Sequence, residues 1–480
     1  MRLGAIIYIL GYGGGMVALL MLLPLMVSIG MENDVHARNF TIGFFLTAFV
    51  SGAMILTGRA ARRFPAQKIE LFLIMILVWG GLPWLASIPM TGALQVFDLS
   101  DAYFEAVSAL TTSGGTVMKY PELETPPILL WRALLSWLGG LWMLVFAVSV
   151  LAPLGIGGLA ISGSPLLQLS DKASLSLRLG QPFRLILPIY LSLTVLAILA
   201  LLSTGGGFFQ SLTVVLSAIS STGFVTHSDG IASQFNQAGL LIIALTSFVG
   251  ALSAPVLVVL GVGKYLPSLF KDTELRVFLG MIVAYAGLSF WMLQDVPLLT
   301  ALMQSVSLFS TAGFSFMANH QLESWPVVWV MLPVFIGGMA LSAAGGVKVM
   351  RAIILAKGVG GEFSRLSYPS SVHPVTLDGR RLEQKDFSAI WAYSAVFCLF
   401  LGLGILVTGL LGVALADSWP IVLGALTNSL SITTGLNLAV HFGSMSSNLQ
   451  FMLALLMIAG RVEILILMVF FTSSFWRYVR

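Results

Sequence analysis

The sequence predicts an all-α polytopic membrane protein, two N-terminal helices followed by four helix–short loop–helix repeats. Three observations carry that expectation. The chain is extremely apolar, its basic residues fall in alternate connections between long apolar runs, and a Ser/Thr–Gly signature recurs four times between runs. Of 480 residues, 58% are hydrophobic and 9% charged, against about 25% charged in an ordinary soluble domain. So few polar groups cannot coat a water-facing surface, but they suit one that faces hydrocarbon. The formal net charge of +4 is spread over short connections rather than gathered in a patch, which argues against a nucleic-acid partner.

Several chemistries are excluded early. The single cysteine, Cys398, allows neither an internal disulfide nor a thiolate metal cluster. His36, His227, His320, His373 and His441 show no ligand spacing. There is no HExxH, P-loop or nucleophile elbow, so a membrane-embedded enzyme has no constellation to work with.

The first apolar run, about residues 4–30, is too long for a signal-peptide core and lacks a small-x-small cleavage site. It reads as a retained helix. Further runs lie at about 41–58, 69–92, 128–158, 185–204, 238–263, 276–293, 326–356, 387–412 and 448–475, each near the roughly 20 residues a crossing helix needs. Basic residues then orient them. Arg59, Arg62, Arg63 and Lys68 share one connection, Lys172, Arg178 and Arg184 the next but one, and Lys264, Lys271 and Arg276 the next but one again. Lys348, Arg351, Lys357, Arg365, Arg380, Arg381 and Lys385 follow, with Arg2, Arg477 and Arg480 at the ends. The intervening connections hold only Arg38 and Lys119. Positive residues stay on the cytoplasmic side, so both termini are expected there.

The outer connections hold apolar stretches too short to cross, Asp101–Thr112, Phe208–Thr222, Pro297–Thr311 and Ser418–Thr433. Their ends align as Thr111-Thr112-Ser113-Gly114, Ser220-Ser221-Thr222-Gly223, Ser310-Thr311-Ala312-Gly313 and Ile432-Thr433-Thr434-Gly435. A serine stands six residues before each glycine: Ser108, Ser217, Ser307 and Ser429. One such tetrapeptide is an ordinary helix stop; four in the same place are a repeat. The expected units are residues 1–68 for the two N-terminal helices, then 69–184, 185–275, 276–385 and 386–480 for the four repeats.

Non-helical backbone at membrane depth is tolerated only where it is buried in protein or lines a watery cavity. Four half-membrane helices ending in Ser/Thr–Gly can aim carbonyls at a pseudo-fourfold pore, and carbonyl rings replace the hydration shell of an alkali cation. No carboxylate falls in the four tetrapeptides, which disfavours Ca²⁺ and Mg²⁺. All four loops enter from one side, unlike the inverted repeats of many secondary transporters.

With two extra helices ahead of the repeats, the chain resembles the Trk/Ktr/HKT superfamily of potassium transporters, most closely the TrkH branch. The resemblance rests on YFEAVSALTTSGGTV (103–117), LLWRALLSWLGGL (129–141), FIGGMALSAAGGVKVMRAIIL (335–355) and GRVEILILMVFFTSSFWR (460–477). It implies uptake of K⁺, as substrate rather than cofactor, across a bacterial inner membrane, with Gly114, Gly223, Gly313 and Gly435 as filter glycines. It also implies an intramembrane gating loop, here Leu341 to Gly346 followed by Lys348, with Gly345 and Gly346 at its turn. Arg461 lies well inside the last run, where an arginine is a functional candidate by default; the resemblance puts it beside the pathway as a barrier to leak. A homodimer seated on a cytosolic ring of TrkA-like nucleotide-binding (RCK) subunits is implied as well, with the basic segment 357–385 facing either that ring or membrane lipid. Coupling of K⁺ uptake to Na⁺ or H⁺ by symport stays open. Glu463 is two residues from Arg461, off its helix face, so each is expected to find another partner. Glu105 lies in the first short stretch and Arg132 starts a run; they either pair to brace the first loop or serve as interfacial anchors. Asp98, Asp101, Glu122, Glu124, Asp229, Asp295, Glu323 and Asp417 leave the outer face acidic, where they either concentrate cations or are simply solvated.

Overall fold

A chain in hydrocarbon must satisfy its own backbone groups, so apolar runs become helices. The computed structural model describes residues 3–60, 67–91, 98–154, 175–263, 266–293, 296–317, 322, 325–367, 376–377, 380–382, 384–436, 438 and 441–470. Arg2, Arg62, Arg63, Lys172, Lys264, Asp295, His320, Glu323, His373, Arg477 and Arg480 lie outside them, as does part of the 357–385 segment.

Helices α1 (Leu3–Gly30) and α2 (Asp34–Gly58) pack along one another. Gly58 lies against the Tyr8 backbone and Gly11 against that of Ile55, so the two chains approach closely. Asn33 starts α2 by accepting a hydrogen bond from the His36 N–H at 3.2 Å.

The first repeat is α3 (Lys68–Ser87), α4 (Leu99–Leu110) and α5 (Pro126–Phe146), the last running through a π turn, Ala147–Leu151, into α6 (Ala152–Leu154). The second is α7 (Leu175–Ser203), α8 (Phe208–Ile219), α9 (Gln237–Gly250) and α10 (Ala254–Val262), with the short α11 (Leu266–Leu269) after it. The third is α12 (Thr273–Met292), α13 (Leu298–Phe309), α14 (Val327–Ile336) and α15 (Val349–Ser367). A two-residue antiparallel ribbon follows, β1 (Thr376–Leu377) on β2 (Arg380–Arg381). The fourth is α16 (Gln384–Leu410), α17 (Leu415–Leu426), the single turn α18 (Ser431–Thr434), α19 (Ser447–Val462) and α20 (Ile464–Phe470).

The four short helices α4, α8, α13 and α17 are each 12 residues long, about 18 Å and so roughly half a bilayer. Their packing closes a ring. Besides their own repeat, α4 touches α19, α8 touches α5, α13 touches α9 and α17 touches α14. Every repeat thus rests its short helix on the second long element of the repeat before it.

Among the described residues, seven helices are long and apolar enough to cross a membrane, and the bent pair α9–α10 would add an eighth. Two expected spans are less regular than the apolar runs suggested. The run at 238–263 turns through 116° between α9 and α10, where Pro255 in the first turn of α10 has no N–H to continue the ladder. The last run breaks at Glu463, whose φ is 65°. The expected interruption after α14 is present: Gly337, at φ 75°, ends that helix, and the chain becomes helical again only at Val349.

Candidate functional site

The C-terminal ends of the four short helices meet, and the same backbone path leaves each. Three residues beyond the helix, a backbone N–H returns to a carbonyl five residues earlier: Ser113 to Ser108 at 2.8 Å, Thr222 to Ser217 at 2.9 Å, Ala312 to Ser307 at 3.1 Å and Ser429 to Gly424 at 2.8 Å. The residue before each has positive φ, 53° at Thr112, 57° at Ser221, 55° at Thr311 and 50° at Asn428. Hydroxyls two apart bond to each other in three of the four loops, Thr111 to Ser113 at 2.9 Å, Ser220 to Thr222 at 2.8 Å and Thr427 to Ser429 at 2.7 Å.

This register corrects the fourth alignment. The loop equivalent to Thr111–Gly114 is Thr427-Asn428-Ser429-Leu430, and Thr433, Thr434 and Gly435 lie beyond it. Gly435 has φ −84° and caps α18; its nearest neighbour outside that turn is the Leu322 side chain. Nor is Ser429 the counterpart of Ser108, Ser217 and Ser307. Those three stitch the helix to the segment after the glycine: Ser108 Oγ donates to Gly115 O at 2.5 Å, Ser307 Oγ to Phe314 O at 2.8 Å, and Ser217 Oγ accepts from the Phe224 N–H at 2.7 Å. The fourth repeat has Gly424 there and no such stitch.

Gly114, Gly223 and Gly313 have φ of 74°, 84° and 73°, where a side chain costs roughly 1–2 kcal/mol. The space is closed as well. A Cβ on Gly114 would collide with Thr222 O, and one on Gly223 with Ala312 O. The first loop therefore lies against a carbonyl of the second, and the second against a carbonyl of the third. Thr111, Thr112, Ser113, Ser221, Thr222, Thr311 and Ala312 are fully buried, and the hydroxyl oxygens of Thr112 and Ser221 have no hydrogen-bond partner among the described residues. No carboxylate stands in the ring, and the described residues contain no group of three His, Cys, Asp or Glu able to hold a metal.

The irregular segment 337–348 lies directly against these loops. The Gly345 N–H donates to Thr311 Oγ1 at 2.8 Å and the Gly346 N–H to Thr427 O at 3.2 Å. A Cβ at Gly345 would strike Thr427 O, so only glycine fits. The segment is held on its other side by Met339 N–H to Ala251 O at 3.1 Å, Ala254 N–H to Leu341 O at 3.0 Å and Ala340 N–H to Glu274 Oε1 at 2.6 Å. Lys348, at φ 84°, does not reach a surface. It is 3% exposed and its Nζ donates to Ala344 O and, at 3.4 Å, to Ser342 Oγ.

Arg461 joins the two structures. Its Nε donates to Thr111 O at 2.5 Å, at the end of the first short helix, and its Nη1 to Ala343 O at 2.7 Å in the irregular segment. Its Nη2 has no partner among the described residues. As expected, Glu463 pairs elsewhere, with Arg351 at 2.8 Å, and that guanidinium lies 3.8 Å over the Tyr393 ring. Glu105 and Arg132 do pair, at 3.4 Å, both buried. Glu105 also accepts from Thr116 Oγ1 at 2.9 Å and the Val117 N–H at 3.1 Å, while Arg132 Nη2 donates to Val225 O at 2.7 Å. The pair thus ties the segment after the first loop to the segment after the second.

Asn428, Leu430, Glu274 and the Arg351–Glu463 pair were not visible as site residues in the sequence. Asn428 donates to Ser113 Oγ at 3.0 Å and to Met457 O at 2.8 Å, crossing from the fourth loop to the first. An intramembrane carboxylate near the start of α12 was the one available signal for Glu274.

Four half-membrane helices that converge on buried, carboxylate-free loops around one axis define a class of polytopic membrane protein built to pass a small ion. The chain belongs to the TrkH family of cation transport proteins, whose family model matches residues 36–478, and so stands among transporters rather than enzymes. It is 31% identical to the Trk system potassium uptake protein TrkH of Halomonas elongata, over 99% of this chain and 100% of that one. It is 29% identical to TrkH of Escherichia coli K12, over 95% and 96%. The crystal structure of the potassium transporter TrkH from Vibrio parahaemolyticus superposes with a TM-score of 0.88 at 28% identity, covering 99% of this chain and 100% of that chain.

Proposed function

We propose that the chain takes up K⁺ across a bacterial inner membrane through a filter built from Thr111 to Gly114, Ser221 to Gly223, Thr311 to Gly313 and the fourth loop at Thr427 to Leu430. The observation that carries this is the ring itself, three glycines each packed against an oxygen of the next loop, with buried hydroxyl oxygens and no fixed negative charge. Neutral oxygens suit a weakly hydrated alkali cation better than a divalent one.

Gly345, Gly346 and Lys348 belong to the gate, and Arg461 couples it to the filter. The support is geometric: two amides of the segment bond to filter residues, and one guanidinium bonds to both parts. When the segment moves, the third and fourth loops lose N–H donors and Arg461 loses an acceptor. The buried guanidinium repels cations that approach without that movement.

By family analogy the protein works as a homodimer with a TrkA-like nucleotide-binding ring, both termini on the cytoplasmic side. The test is expression in a bacterium lacking its own K⁺ uptake, with K⁺, Rb⁺ and Na⁺ in competition. Growth at low K⁺ with Rb⁺ competing and Na⁺ failing to compete is the expected result. Protein present in the membrane that carries none of these ions overturns the reading.

A further inference from the structure

We propose that Ser431 stands in for a fourth filter glycine and sets the terms on which a cation enters the ring; this rests on the filter reading above. The glycine position of the fourth loop is Leu430, at φ −61° and ψ −24°. A leucine avoids the left-handed backbone that the three glycines adopt, and its side chain packs against Gly115 and Gly424 instead. The chain consequently curls into α18.

That curl delivers Ser431 to the middle of the loops. Its Cβ stands 2.7 Å from where a Cβ on Gly114 would lie, and 2.8 Å from the corresponding points on Gly223 and Gly313. One atom equally near three glycines from three repeats lies at the axis of the ring. Its polar groups span the axis: the Ser431 N–H donates to Ser113 O at 3.1 Å and its hydroxyl to Ala312 O at 3.2 Å, oxygens of the first and third loops. The hydroxyl also completes the cycle. Gly114 abuts Thr222 O, Gly223 abuts Ala312 O, and Gly313 abuts Ser431 Oγ.

Two carbonyls that would face a dehydrated cation therefore already accept hydrogen bonds from Ser431. An N–H and an O–H present partial positive charge where the cation would bring its own, so an alkali cation at this level competes with Ser431. Binding requires the 430–434 turn to move off the axis. The hydroxyl, which carries two acceptor lone pairs, then turns from donor to neutral ligand.

The test uses the full chain in a bacterium lacking its own K⁺ uptake, reading radioactive Rb⁺ entry against K⁺ and Na⁺, with membrane protein measured by immunoblot. Ser431→Gly removes the competing hydroxyl and the on-axis Cβ. It is expected to lower the half-saturating K⁺ concentration about five-fold, the worth of one net hydrogen bond, and to strengthen Na⁺ inhibition because one ring oxygen is lost. Ser431→Ala shifts both in the same direction by less, and decides alone if the glycine variant fails to reach the membrane. An unchanged or raised half-saturating concentration overturns the proposal. Gly223→Ala in the same assay separates the two readings. If it abolishes uptake while the Ser431 variants match the parent, only this inference falls; if Gly223→Ala also leaves uptake and selectivity unchanged, the filter reading falls with it.

Discussion

The first three loops and the fourth share a backbone as far as their third residue and then part. Up to Ser113, Thr222, Ala312 and Ser429 the hydrogen bonds and positive φ values match. One residue later, three loops have glycine at φ of 73–84° and the fourth has leucine at −61°. A single side chain thus converts an extended continuation into a helical turn. The pseudo-fourfold ring accommodates its one unlike quarter because the Ser431 hydroxyl stands against Gly313 where a carbonyl stands against Gly114 and Gly223. The fourth loop is also the one the irregular segment grips through backbone, by the Gly346 N–H on Thr427 O.

The largest effect expected from this difference is at the glycines. Gly223→Ala forces a Cβ into left-handed backbone and onto Ala312 O. Uptake should be lost while the protein still reaches the membrane, measured by tracer entry against immunoblot. Leu430→Gly, at the equivalent fourth position, should retain uptake, because removing that side chain asks nothing new of the backbone. Equal loss at both positions would erase the distinction between the quarters.

Next comes the pair that holds the broken spans of the third and fourth repeats together. Arg351→Leu leaves Glu463 buried without its salt-bridge partner, and removing one member of a buried pair costs about 3–5 kcal/mol. Steady-state protein and its thermal stability in detergent should fall sharply. Glu463→Gln in the same chain removes the stranded charge and should restore most of both. A double variant no better than the single one would show that Arg351 acts through Tyr393 rather than Glu463.

Arg461→Ala is expected to act on flux more than on stability. Among the described residues the guanidinium bonds only to backbone carbonyls, Thr111 O and Ala343 O, so its loss strands no buried carboxylate there. It removes the link between first loop and irregular segment and, on the proposed gate reading, a positive charge beside the path. A several-fold rise in Rb⁺ entry under conditions that keep the parent closed is the expected result; unchanged kinetics with intact protein would remove Arg461 from the gate.

The helical membrane fold was legible because hydrocarbon imposes it: apolar runs near the crossing length, basic residues in alternate connections, and a short segment after each outer run. The first three loops were legible for a local reason, since a positive φ in a closed space selects glycine and the helix-stitching serine stands six residues before it. The fourth misled for the same reason. It lacks the glycine, and Ser429 and Gly435 reproduce the spacing by coincidence one turn further on. The Arg351–Glu463 pair joins positions 112 residues apart, and no local pattern reports such a contact. Nor did apolarity signal the bend at Ala251–Ser253, because both halves are apolar and the helix-breaking mark is Pro255.

The smallest expected effect tests the register most directly. Gly435→Ala introduces a methyl group at φ −84°, a conformation any residue adopts. The new Cβ meets the end of the Leu322 side chain at 3.0 Å, which can shift by a few tenths of an ångström. Uptake, half-saturating K⁺ and Na⁺ inhibition should all match the parent, while Gly313→Ala, at φ 73° and against Ser431 Oγ, should abolish transport in the same cells. A Gly435→Ala variant as defective as Gly313→Ala would return the fourth filter residue to position 435. It would also mean that the α18 turn unwinds in the conducting protein, with Leu430 giving up its place against Gly115.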